Sequence, residues 1–174
     1  QIALEGRPVH AVLDGLTTMT LAGRFPYGNA VLVETPLEAL PEAWLAELQL
    51  FGPQPTLAPD RAALTCPQSG AAPAWDAGRR SLYLLYAHLQ DPPALQPGEA
   101  VGCGQPLGAI GDSGNALNPH LHLEARVGPA GARFASLAHY DAGASLEEME
   151  NYCTWRVSGL FQLADPLRLL ALQP

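Results

Sequence analysis

Positive charge is scarce in this sequence. Nine Lys and Arg residues stand against 17 Asp and Glu, a formal net charge of −8 at pH 7 over 174 residues. That balance argues against a nucleic-acid backbone or an anionic membrane surface as the main partner, because either would select a basic face. Charged residues make up only 15% of the chain and hydrophobic ones 48%. A real core is therefore affordable, and an intrinsically disordered chain is not expected. Cysteine is also sparse: Cys66, Cys103 and Cys153 show no C-x-x-C spacing, so a cysteine-rich zinc site is not supported. No apolar run approaches the ~20 residues needed to span a bilayer, no secretory leader is visible, and no internal repeat is found. The chain starts at Gln1 instead of Met, which leads us to expect that a segment upstream has been removed or left out. The length fits one domain, residues 1–174.

What is present reads as short strands punctuated by glycine. "RPVHAVLDG" (7–15) is expected to be a strand running into a turn at Asp14-Gly15. "GNAVLVET" (28–35) and "SLYLLYAHL" (81–89) are apolar strands, and "PGEAVGCGQPLGAIGDSG" (97–114) holds three short pieces separated by glycine corners. "HLHLEAR" follows. Together these give a mostly β fold, a compact antiparallel core with peripheral helices. Helical spacing of Leu40, Trp44, Leu48 and Phe51 predicts a helix starting near Pro41, followed by a long Pro- and Ala-rich loop over 52–79. Ser145 and Glu148 predict a capping box opening a second helix in "SLEEMENYCTWR" (145–156). Asp165 caps a short helix starting at Pro166.

Chemistry concentrates in "NPHLHLEAR" (118–126). In a strand His120 and His122 share one face, while Leu121 and Leu123 point to the other as a core face requires. A third histidine, His88, ends the strand "LYLLYAH". Imidazole is both a zinc ligand and an acid–base group, so one ligand histidine beside two acid–base histidines is a chemically sensible site. A polar outer strand face is the competing explanation for His-x-His alone. Glu124 shares the parity of His120 and His122; it is either a partner for a ligand imidazole or a solvated strand residue. His10 is explained by a surface or partly buried strand position, and His139, beside Tyr140 and Asp141, by a solvated loop.

The order of "GRPVHAVLDG", "YGNAVLVE", "LYAHL", "LQPGEAVGCGQPLGAIGDSG", "NPHLHLEAR" and "DPLRLL" resembles the lysostaphin/LytM-type zinc endopeptidases, bacterial cell-wall enzymes with a duplicated hybrid motif fold. The resemblance covers most of the chain outside two insertions, at about 36–79 and 128–160. It implies that His122 is a zinc ligand, that His88 and His120 are the catalytic histidines, and that Gly28 and Asn29 form a structural corner. It further implies peptidoglycan peptides as substrate, zinc as cofactor, a monomer, and a periplasmic, extracellular or cell-envelope location. Two departures stand out. The family's His-x-x-x-Asp ligand motif would place its Asp at about Gln1 or just before it. Leu117-Asn118 also precede "PHLH" where a small hydroxyl residue and glycine are common.

Two functions follow as expectations: a zinc metallo-endopeptidase cutting peptidoglycan cross-links or stem peptides, or a catalytically degenerate module that binds cell wall or regulates an amidase. Each insertion holds one cysteine. In an oxidising compartment Cys66 and Cys153 can pair, leaving Cys103 a buried thiol; three free thiols, with the insertions on opposite edges, is the alternative.

Overall fold

The computed structural model describes residues 4–49, 66–67 and 75–172. Its strands are β1 (Pro8–His10), β2 (Gly15–Arg24), β3 (Gly28–Pro36), β4 (Asp76–Leu89), β5 (Ala100–Val101), β6 (Pro106–Ala109), β7 (His122–Ala130) and β8 (Gln162–Ala164). Among the described residues three α-helices accompany them: α1 (Glu42–Gln49), α2 (Leu146–Val157) and α3 (Pro166–Leu170). Six strands form one antiparallel sheet in the order β5-β2-β3-β4-β7-β8, and β1 pairs with β6 in a small second sheet. The fold is mostly β and antiparallel, as the sequence pattern indicates. No helix among the described residues is long and apolar enough to cross a membrane.

Strand alternation assigns the side chains of the large sheet to two cores. One face carries Val31, Val33, Leu82, Leu84, Tyr86, Ala125 and Val127, packed with Leu40 and Trp44 from around α1 and with Leu121 and Leu123. The other carries Ala30, Leu32, Tyr83, Leu85 and Ala87, packed with Phe134, Leu137, Phe161 and the α2 residues Tyr152 and Trp155. The two helices therefore cover opposite faces of one sheet. Apolar burial on both sides of β3 and β4 explains why these strands read as nearly continuous hydrophobic runs.

The expected helix near Pro41 is α1, preceded by a 3₁₀ turn at Leu37–Ala39. α2 opens with the expected capping box: the Glu148 N–H donates to Ser145 Oγ at 3.2 Å, and the Ser145 N–H donates to Glu148 Oε2 at 2.9 Å. Asp165 accepts from the Leu167 N–H at 2.9 Å at the start of α3. Several expectations need correction. β2 is a full strand through "GLTTMTLAGR", a stretch whose threonines disguise it: Thr17 and Thr18 are buried, and Thr18 donates to the Leu32 carbonyl. Residues 76–79 belong to β4 instead of a loop, and β8 was not foreseen. The Leu48 side chain, Phe51, and the loop expectation over 52–65 and 68–74 lie outside the described residues, as does Gln1.

Cys66 and Cys153 are joined by a disulfide, with Cα atoms 5.8 Å apart. It ties the stretch following α1 to α2, so covering opposite faces does not prevent the pairing. Cys103 is exposed and not a buried thiol; its Sγ donates to the Val12 carbonyl at 3.1 Å. Closing a loop with a sequence separation of 87 removes roughly 4–5 kcal/mol of unfolded-chain entropy in the loop-closure model. Thiol titration under denaturing, non-reducing conditions is expected to find one free thiol per chain and, after reduction, three. Cys153→Ser is expected to lower the unfolding free energy by about 2–4 kcal/mol in denaturant titration.

Candidate active site

The site forms where the end of β4 meets the start of β7. Between Asn29↔Leu89 and Val31↔Tyr86 the β3–β4 register shifts, leaving an extra residue on β4. A bulge of this kind re-aims side chains, and here it contains His88. The backbone of His88 is left-handed, φ 61°, a conformation that costs a non-glycine residue energy. Its neighbours fix it there: the His88 N–H donates to the Tyr27 carbonyl at 3.0 Å, and the Gly111 N–H donates to the His88 carbonyl at 3.0 Å.

The imidazole of His88 is buried and its Nδ1 lies 2.7 Å from the Ser113 carbonyl oxygen. A carbonyl only accepts, so Nδ1 carries the proton and Nε2 keeps its lone pair in the neutral ring. Burial holds the His88 pKa below the ordinary imidazole value; the Ser113 carbonyl opposes this, while His120 and His122 push the same way as burial. The Gly28–Asn29 corner supports this arrangement. Asn29 Nδ2 donates to the carbonyls of Leu89 and Gln90, both at 3.2 Å, and the Asn29 N–H donates to Ser113 Oγ at 2.9 Å. Gly28, at φ 71°, lies so close to Ser113 that a Cβ would meet its backbone at 2.3 Å, and Gly114 presses back on the Gly28 nitrogen. The corner is thus built around the carbonyl that orients His88.

His120 does not lie on the strand with His122, as the sequence pattern suggested. β7 begins only at His122; His120 follows Pro119, and its N–H is spent on the Gly111 carbonyl outside the β4–β7 ladder. The histidines converge nonetheless. The His88 ring centroid is 4.8 Å from that of His120 and 5.6 Å from that of His122. His120 is exposed, and its Nδ1 lies 2.7 Å from the Asn118 carbonyl oxygen, which again leaves Nε2 as the basic nitrogen.

Beneath His122 lies a buried ionic cluster. Glu124 is not a solvated strand residue: its carboxylate is buried, with Oε2 3.5 Å from His122 Nε2. Tyr27 donates its phenolic proton to the same oxygen at 3.0 Å, and Arg156 Nη1 stands 3.9 Å from it. Arg126 Nε donates to Oε1 at 2.6 Å, and a second guanidinium nitrogen of Arg126 pairs with it too. Burial alone would raise the Glu124 pKa, but the His122 hydrogen bond and the two guanidinium charges overcome it and bring it down to about 2. Burial, helped by Glu124, conversely raises the Tyr27 phenol far above its usual value, so Tyr27 stays a donor.

Beside the histidines opens a cleft of about 250 Å³, walled by Tyr27, His88, His122, Tyr140, Tyr152 and Arg156 among others. Three of these walls come from the second insertion, and neither Tyr27 nor Arg156 is marked as a site residue by any local sequence motif. His139 is buried instead of solvated: its ring lies 4.3 Å from Tyr140 and 5.2 Å from Tyr152, behind the cleft wall. His10 is exposed on β1, in the small second sheet. Among the described residues no group of three His, Cys, Asp or Glu side chains is placed to hold a metal ion.

Residues 76–133, from the start of β4 to just beyond β7, match the family model of Peptidase family M23. The resemblance to lysostaphin/LytM-type peptidases read from its motifs stands over this segment. Similar solved structures include the catalytic domain of the prophage-encoded M23 protein EnpA from Enterococcus faecalis, in a point-mutant form. It is 18% identical, with 74% of this chain and 64% of that one covered and a TM-score of 0.41. The catalytic domain of the antimicrobial peptidase lysostaphin from Staphylococcus simulans is 16% identical, with 96% and 72% covered and a TM-score of 0.45. The present chain thus spans less than two thirds of the EnpA domain. No curated protein sequence matches it.

Removing the Glu124 carboxylate strands two arginines, one of them buried. Glu124→Ala is expected to cost about 3–5 kcal/mol of stability in denaturant unfolding, whereas His120→Ala, an exposed truncation, should stay within about 0.5 kcal/mol of the parent.

Proposed function

We propose that this chain is a peptidase domain that hydrolyses peptide bonds in peptidoglycan cross-links or stem peptides, and so works in the periplasm, cell envelope or extracellular space. The observation that carries this reading is the convergence of the His88, His120 and His122 rings within the segment that matches the M23 family model, with His88 and His122 lining the cleft. His88 and His120 are the acid–base pair. Each has its Nδ1 on a backbone carbonyl, which turns a basic Nε2 toward the reacting atoms. One imidazole takes the proton from water as its oxygen attacks the scissile carbonyl carbon. The second imidazole, when protonated, stabilises the oxyanion that develops in this attack through its N–H, and as the C–N bond breaks and the carbonyl re-forms, the proton taken from water passes to the leaving amine. Burial lowers the His88 pKa and so favours the neutral ring, the form that can accept a proton.

The cofactor of this reading is zinc, which supplies Lewis-acid chemistry and an acidified water when bound. The described residues do not make a complete site for it: His122 is the candidate ligand, and no group of three is present among them. That shortfall is the observation favouring the second reading, a module that binds cell wall or regulates an amidase without cutting.

Incubation with purified peptidoglycan separates the two. A peptidase releases new free amino groups, and His88→Ala or His120→Ala reduces their release by about 100-fold or more. Co-sedimentation with peptidoglycan and no amine release establishes the binding module. For the metal, elemental analysis of the full native protein is expected to show zinc lost in His122→Ala and kept in His120→Ala. Equal zinc in both variants would mean the roles of His120 and His122 are misassigned.

A further inference from the structure

Among the described residues, the cleft beside the histidines carries a positive charge with no counter-ion of its own. The buried carboxylate of Glu124 is already gripped by Arg126, whose guanidinium also donates to the Phe161 carbonyl at 3.0 Å and lies over the Trp155 ring, 5.2 Å from its centroid. Arg126 is thereby committed on all sides. Arg156 is the second guanidinium on that one carboxylate, further away at 3.9 Å, and its side chain is 38% exposed. One carboxylate with two guanidiniums leaves a unit of positive charge on the side that opens to the cleft. This occurs in a chain whose sequence contains no lysine and whose net charge is −8.

The guanidinium is also held in place. Nη1 donates to Tyr27 Oη at 3.3 Å, and the ring of Tyr152 lies 5.8 Å from its central carbon. These contacts use one edge and one face of a planar fork that has five N–H donors, and the fork lines the cleft together with the exposed Tyr140. Arg156 and His122 approach the same oxygen of Glu124, so whatever Arg156 holds is held next to the histidines. A fixed, partly desolvated guanidinium with donors to spare matches a carboxylate bidentately.

We propose that Arg156 is the substrate-carboxylate residue of this cleft: it receives a free carboxylate of a peptide and thereby sets which peptide bond lies at His88 and His120. The inference rests on reading the cleft as a peptide-binding site, and it narrows the substrate class to peptides bearing a carboxylate close to the scissile bond. That carboxylate is either the chain-terminal one or one on a side chain, as both present the same group to the fork. The second insertion, which supplies Arg156, Tyr152 and Tyr140, is then a specificity wall added to an M23-type segment.

Isothermal titration of the protein with a peptidoglycan stem pentapeptide tests this directly. Four forms of the peptide are needed: carboxylates free, amidated at the C-terminus only, amidated on the side chains only, and fully amidated. The free form is expected to bind about 10-fold or more tightly than the fully amidated one, and the singly amidated form that loses this advantage identifies which carboxylate is read. Arg156→Gln should bind the free form as weakly as the fully amidated one, and Arg156→Lys should restore part of the preference. The preference of the unaltered protein needs no variant, so it decides the matter even if Arg156→Gln fails to fold. Binding of all four forms with equal affinity overturns the assignment of Arg156 while leaving the peptide site intact. Binding of none of them overturns the peptide site as well.

Discussion

A single buried carboxylate holds this structure's working end together. Glu124 sits on β7, accepts a hydrogen bond from the Tyr27 hydroxyl at the β2–β3 corner, approaches His122 two residues earlier on its own strand, and is paired by Arg126 and approached by Arg156 of α2. Taking a carboxylate out of water is costly, and the cost is offset only when its oxygens are met by charge and by hydrogen bonds. Here both oxygens are met, by groups from three separate parts of the chain. The carboxylate therefore does more than neutralise an arginine: it specifies how corner, strand and helix come together, and it limits how the His122 ring can lie.

The second constraint is the sheet's two faces. Because β3 and β4 are buried on both sides, the face carrying His122, Glu124 and Arg126 needs a cover of its own. Phe134, Trp155 and Phe161 provide it, packed on one another with Trp155 and Phe161 edge-on to Tyr83, ring centroids 5.1–6.2 Å apart. The cover stops short of His122, and the gap is the cleft. Arg24 anchors the start of the covering helix by donating to Glu148 from Nε at 2.7 Å, and the disulfide at Cys153 holds its middle. The same helix thus completes a core and walls a site.

What could be read in the sequence was what is local. The capping box at Ser145 and Glu148, the Asp165 cap, the apolar strands 28–35 and 81–89, and the two His motifs each declare themselves within a few residues. The interactions that shape the cleft are not local: Tyr27 meets Glu124 across a sequence separation of 97 and Arg156 across 129. No window along the chain contains either pair. β2 escaped notice because two of its core positions are threonines, whose polarity masks the strand period until their hydroxyls are seen to be buried. The strand face shared by His120 and His122 was a fair reading of parity. It failed because Pro119 and the His120–Gly111 hydrogen bond hold the chain away from the ladder until residue 122. His139 was misplaced because burial there comes from Tyr152, on a helix that packs back from further along the chain.

The left-handed backbone at His88 sets two demands against each other. A glycine at that position would adopt φ 61° freely, and a histidine there carries a conformational cost of about 1–2 kcal/mol. A sequence drifting toward greater stability would shed the ring, since glycine at position 88 relieves this backbone cost in a library screened for thermal tolerance alone. Breeding this scaffold for robustness and breeding it for chemistry therefore lead to different residues at one site, and only a screen that reads both would keep the imidazole.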